Sequence, residues 1–145
     1  MPAFHVAVGD TATFTKTVSE SDVYLFSGIT GDLAPNHVDA DYMSKTTFGR
    51  RIAHGALLVG FMSNTSTQIV AQSREAEETA VSLGYDRIRF LKPVFLGDTV
   101  TVRYEVAEIQ AEESRAISDI QVTNQDGELV AVARHILKWV RNEGT

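Results

Sequence analysis

The sequence predicts an α+β domain in which a sheet of about five antiparallel strands wraps one central helix. Two observations carry that prediction. Residues 56 to 72, "ALLVGFMSNTSTQIVAQ", place apolar or small side chains on nearly every side of a helix, the pattern of a helix buried all round. Beyond them the chain is a succession of alternating stretches separated by short turns, the pattern of an antiparallel meander. One apolar helix and one antiparallel sheet sharing a core make the α+β class. A length of 145 residues suits one domain, spanning positions 1 to 145, and at that size folding buries roughly two thirds of the unfolded surface.

Each element follows in order. Residues 11 to 18, "TATFTKTV", are rich in threonine and β-branched types and predict a first strand. Ser19 with Asp22 three positions on is a capping-box pattern, so a helix is expected from about Glu20 to Thr30, with Val23, Phe26 and Ile29 on one side and Gly31 as its stop. Pro35 disfavours helix at Ala34, and Asp39 can cap a short helix through Tyr42 and Met43. Asp32 to His37 is then expected to be a loop pinned between two helices. After the central helix, Val81, Leu83 and Tyr85 alternate, with a change of face near Asp86 before Ile88 and Phe90, as a bulge would produce. "GDTVTVRYEVAEI" alternates at Val100, Val102, Tyr104 and Val106, "SRAISDIQV" is a shorter strand, and the turn "NQDGE" leads into "LVAVARHILKWV". Open edges on so small a sheet predict a dimer.

Composition narrows the function. Net charge is −6 and no basic cluster is longer than Arg50-Arg51, which argues against a nucleic-acid partner. With no cysteine in the chain, disulfides, thiolate metal sites and a cysteine nucleophile are excluded, and a reducing cytoplasm is the expected location. No apolar run approaches the roughly 18 residues of a membrane helix, and "MPAFHVAVGD" lacks the basic-then-apolar order of an export signal.

The stretch "SGITGDLAPNHVDADYM", then "FGRRIAHGALLVGFMS", then "RIRFLKPVFLGDTVTV" resembles the MaoC-like hydratase family, which includes the (R)-specific enoyl-CoA hydratases. The pattern is Gly-Asp-x-x-Pro-x-His-x-Asp followed by His-Gly at the start of the buried helix, and the resemblance covers about residues 10 to 140. It implies a hot-dog fold and the reversible addition of water to a trans-2-enoyl thioester of coenzyme A, giving the (3R)-hydroxyacyl product, with no metal and no redox cofactor. It also implies that Asp32 and His37 activate the water. At the position two after the aspartate, where many of these hydratases have asparagine, this chain has Ala34.

The chemistry gives the loop the same meaning. Hydrating a double bond conjugated to a thioester needs a base for water, a proton donor for C2 and hydrogen-bond donors facing the thioester oxygen. Asp32 and His37 can supply the first two, because histidine both accepts and donates a proton near neutral pH. The backbone N–H of Gly55, at the N-terminus of the buried helix, can face the developing enolate. Candidate substrate contacts are Asn36, Ala56, Leu57 and Arg89, and Arg50, Arg51, Arg87 and Lys92 are further cations for a carrier's phosphates.

Bland roles stand beside these. Asp39 is expected to cap the next helix, His54 to fix the start of the buried helix by hydrogen bonding, and His5 and His135 to be structural. Leu57, Leu58, Phe61 and Met62 are expected to be core first and acyl-tunnel wall second. A metal site from His37, Asp39 and His54 has suitable ligand types but no recognised metal-ligand spacing. Other readings are a dehydratase acting on acyl carrier protein, a hot-dog acyl-CoA thioesterase and a non-catalytic acyl-thioester binding protein. A thioesterase would place an acidic residue on or near the central helix, and residues 56 to 72 have neither Asp nor Glu.

Overall fold

The computed structural model describes residues 4–71 and 77–143. Five strands, β1 (Thr11–Thr17), β2 (Glu78–Phe90), β3 (Thr99–Gln110), β4 (Arg115–Thr123) and β5 (Leu129–Arg141), form one sheet in the order β1-β3-β4-β5-β2. Every pairing is antiparallel. The helices are α1 (Glu20–Thr30), α2 (Pro35–Val38), α3 (Ala40–Ser44) and α4 (Gly55–Ala71). The sheet curls against α4, which is the expected hot-dog arrangement. No helix of the described residues is long and apolar enough to cross a membrane.

The core is the concave face of the sheet closed by one face of α4. Period-2 alternation sends Val100, Val102, Tyr104 and Val106 of β3 inward, with Ile120 and Val122 of β4 and Ala133, Leu137 and Trp139 of β5. Leu58, Met62, Thr65 and Ile69 of α4 meet them at helical spacing. Fully burying Leu58, Met62 and Ile69 contributes about 1.5–3 kcal/mol each before the chain entropy is counted.

Four expectations change. The central helix is not buried all round: Ala56, Gly60, Ser63, Asn64 and Thr67 are exposed, because the sheet of one chain reaches only one side of it. The expected last residue of that helix, Gln72, lies outside the described residues. On α1, Ile29 is 81% exposed and Ser27 is buried with Val23, since residues four apart share a face more closely than residues six apart. On β2, Val81 and Leu83 face outward while Ala80 and Ser82 lie opposite the inward residues Trp139 and Leu137. A register shift between Ser82 and Gly84 then turns Tyr85 inward, and a second one lies between Asp86 and Arg89. Finally, Asn36 and His37 are not in a loop. Pro35 starts the helical turn α2, since its fixed φ suits the first helical position and its missing N–H costs nothing there.

Several local signals act as expected. Ser19 and Asp22 form the capping box, Gly31 ends α1 in the left-handed conformation at φ 81°, and Asp39 Oδ1 accepts the Tyr42 N–H at 2.9 Å to cap α3.

Candidate active site

The Asp32–Val38 segment meets the start of α4 because the strand-like segment at Ile52 and Ala53 ties them together. The Ile52 N–H donates to the Asn36 carbonyl at 2.9 Å and the Ala53 N–H to the Val94 carbonyl at 2.7 Å. The Ile52 carbonyl accepts a hydrogen bond from His37 Nδ1 at 2.7 Å. A carbonyl can only accept, so Nδ1 carries the proton and Nε2 of the neutral ring is left as the basic nitrogen. His37 is 8% exposed.

Asp32 follows the Gly31 cap and is exposed; its Oδ1 accepts the Ala34 N–H at 3.3 Å. The side-chain ligand atoms of Asp32, His37 and His54 lie within 4.8 Å of one another, close enough for one water to bridge the Asp32 carboxylate and His37. The sequence pairs Asp39 with the two histidines in its metal alternative, but Asp32 holds that place and Asp39 is occupied as a cap. The rings of His37 and His54 stack with centroids 3.7 Å apart. Two imidazoles on one tetrahedral metal, each bound at about 2.0–2.1 Å, hold their centroids about 5 Å apart. The stack suits a water better than a metal ion.

A cavity of about 440 Å³ opens beside these groups, lined by Asn36, His37, Phe48, Ile52, Ala53, Gly55, Leu58 and residues 90–94. Its size falls within the roughly 300–1,000 Å³ of small-molecule sites. Gly55 opens α4, where the first N–H groups have no partner inside the helix. Of the predicted residues, the structure brings Asp32, His37, Asn36 and Gly55 to one corner. Asp32 is beside the cavity and not among its lining residues. Ala56 is exposed on the open face of α4, and Leu57 packs against the core. Arg89 lies opposite Val132 on β5, donates to the Ile88 carbonyl at 2.7 Å and is not among the residues lining this cavity.

Among the cations, Arg51 is engaged by Glu20 at 2.7 Å and by the Tyr24 hydroxyl at 3.0 Å, and its hydrogen bond holds the Glu20 carboxyl below the ordinary carboxylate range. Arg50 lies over the Phe95 ring at 4.0 Å, and Lys92 lines the cavity while pairing with Glu128. Sequence reasoning missed Ser27, Phe90 and the Ile52 carbonyl. Ser27 was within reach, because it sits four residues after Val23.

Residues 4–128 match the family described as MaoC like domain. The chain belongs to the MaoC-like family. MaoC-like relatives include the (R)-specific enoyl-CoA hydratase of Rhodospirillum rubrum, 40% identical over 72% of this chain and 69% of that protein. The 3-hydroxybutyryl-CoA dehydratase of Methylorubrum extorquens is 39% identical over 75% of this chain and 66% of that protein. The chain thus spans about two thirds of the length of these two. A solved MaoC-like structure, the (R)-hydratase from A. caviae involved in PHA biosynthesis, superposes with a TM-score of 0.79 at 27% identity, covering 92% of this chain and 96% of that one. The relatives are hydro-lyases, which bears out the expectation of an enzyme of that class, and the shared architecture bears out the fold.

Proposed function

We propose that this chain adds water reversibly across the double bond of a trans-2-enoyl thioester of coenzyme A, giving the (3R)-hydroxyacyl thioester. The observation that carries the reading is the meeting of Asp32, His37 and the α4 N-terminus in one corner beside a cavity. The names of the relatives support the same chemistry.

In the forward direction Asp32 and His37 grip a water between them. As its oxygen bonds to C3, the proton it sheds passes to this pair, and the C2–C3 π electrons move onto the thioester carbonyl. The Gly55 N–H and the dipole of α4 stabilise the oxygen as it becomes negative. The pair then returns a proton to C2, so that water is added overall with no change of oxidation state. General acid–base help of this kind is worth about 100- to 10,000-fold. Arg50 and Lys92 stand close to the cavity and suit the carrier's phosphates. A second copy of the chain is the proposed partner, and the cytoplasm the proposed location.

The test is the absorbance of the conjugated enoyl thioester on mixing the protein with crotonyl-CoA and then with a medium-chain enoyl-CoA. Wild type should consume it with the (3R) product formed, while Asp32→Asn and His37→Ala should each lose at least about 100-fold in kcat. Turnover retained by both folded variants would remove the pair from the mechanism.

A further inference from the structure

We infer that His54 is a positioning residue, which holds Asp32 and His37 at their working separation from the α4 N-terminus. The inference rests on the acid–base reading of Asp32 and His37. His54 is 2% exposed and immediately precedes Gly55. Its Nε2 lies 3.1 Å from the Asp32 carbonyl oxygen and 3.2 Å from Ser27 Oγ. Because the carbonyl only accepts, Nε2 bears the proton and latches the Asp32 backbone across 22 residues of sequence. The same ring supports the His37 ring face to face at 3.7 Å, and Phe26 of α1 packs against it at 4.7 Å. One side chain therefore touches both members of the pair and is covalently next to the proposed oxyanion donor.

The two ring nitrogens of His54 are not alike. Nδ1 of His54 is buried with no hydrogen-bond partner among the described residues, and an unpaired buried polar atom costs about 1–3 kcal/mol. An apolar ring would fill the space without that cost, but would take the Nε2 partner from the buried Ser27 Oγ. What it would lack is the Nε2–H that holds Asp32. The local hydrogen bonds at Asp32, from its N–H to Thr30 Oγ1 at 3.2 Å and from Ala34 to its carboxylate, stay within two residues of it. They shape the turn, and the histidine fixes where that turn lies relative to α4. A misplacement of about 1 Å in a reacting pair can cost about 100-fold in rate, which is the scale of effect the latch can exert.

The experiment compares His54→Phe, which keeps a ring and loses the N–H, with His54→Gln, whose side-chain amide can reach the same carbonyl. Both are assayed on crotonyl-CoA beside wild type, Asp32→Asn and His37→Ala, with kcat and KM separated and thermal melts confirming the fold. His54→Phe is expected to lose about 10- to 100-fold in kcat with KM within about threefold, and His54→Gln to recover most of the loss. Should His54→Phe not fold, His54→Asn, whose shorter amide falls short of the Asp32 carbonyl, takes its place with the same expected loss. Wild-type kcat in folded His54→Phe overturns the inference, as does an effect confined to KM or an equal loss in His54→Gln. If Asp32→Asn and His37→Ala lose turnover while His54→Phe does not, only the latch fails. If those two retain turnover, the acid–base reading fails and the latch with it.

Discussion

At position 55 an added methyl group would lie 2.5 Å from Cε2 of the Phe90 ring. That is well inside contact distance, yet Phe90 is 54% exposed, so its ring can swing aside without moving the backbone. Alanine is also the better helix former by about 1 kcal/mol. Gly55→Ala should therefore leave the melting temperature within a few degrees of wild type. Its cost falls on the cavity, which Gly55 and Phe90 both line. The expected outcome is a KM for crotonyl-CoA raised about tenfold, with most of the increase reversed in Gly55→Ala/Phe90→Ala; a double variant no better than the single would mean that the ring is not the obstacle. Residues of this kind show how far the site was legible in the sequence. Asp32, His37 and Gly55 carry residue types whose chemistry and order can be read directly. The Ile52 carbonyl, which sets the His37 tautomer, is a backbone atom and leaves no mark in residue type. Phe90 reads as an ordinary strand residue, and only the register of β2 brings its ring over Gly55.

Single elements were legible where the signal is local and opaque where it depends on a partner. The capping box of α1, the Gly31 stop and the Asp39 cap involve residues two to four apart, so sequence spacing contains them. The faces of β2 depend on two bulges that register with β5 decides, and the alternation of Val81, Leu83 and Tyr85 misled because Leu83 is the extra residue. The β5 strand carries the clearest consequence for pH. His135 is fully buried between the Tyr104 hydroxyl at Nδ1 and Ser82 Oγ at Nε2, each at 2.7 Å. Burial lowers its pKa from 6.5 to about 4, and burial raises those of Tyr104 and Tyr85. The ring is neutral in the fold, so between pH 6.5 and pH 4 the unfolded chain binds a proton that the folded chain does not. Stability then rises with pH across that window, by up to roughly 3 kcal/mol for a shift of about two and a half pH units. Urea midpoints at pH 7, 6 and 5 should fall progressively, and the fall should be shallower in His135→Gln by up to one proton's worth of slope. An unchanged slope in that variant would assign the acid sensitivity to other groups.

The whole molecule presents two sheet edges, and they are not alike. β1 is seven residues long, turns threonines outward and carries Lys16 on its inner side, where its ammonium reaches Asp22 at 3.0 Å. A short strand with an inward-pointing charge is a blunted edge. β2 runs for 13 residues and exposes Val81 at 38% and Leu83 at 49%. Its bulges bend the later half, so Glu78–Ser82 is the regular stretch whose unpaired backbone groups can accept another strand. The open face of α4 points to the same partner, because a helix read from sequence as buried on every side has in one chain only a sheet on one side. A second copy that continues the sheet at β2 would cover Val81 and Leu83 and bring further surface toward Ala56 and Gly60. Light scattering behind size exclusion should therefore give the mass of a dimer or a multiple of it for wild type. Val81→Lys/Leu83→Lys places two like charges beside their copies across the proposed junction, each opposed pair costing on the order of 1 kcal/mol. With the loss of apolar burial this should shift dimerisation at least about tenfold toward the monomer, leaving the folded core of each chain intact by circular dichroism. A wild-type monomer at tens of micromolar would refute the edge-to-edge dimer. A variant that stays dimeric with wild-type affinity would move the junction off β2, to the exposed side of α4 alone.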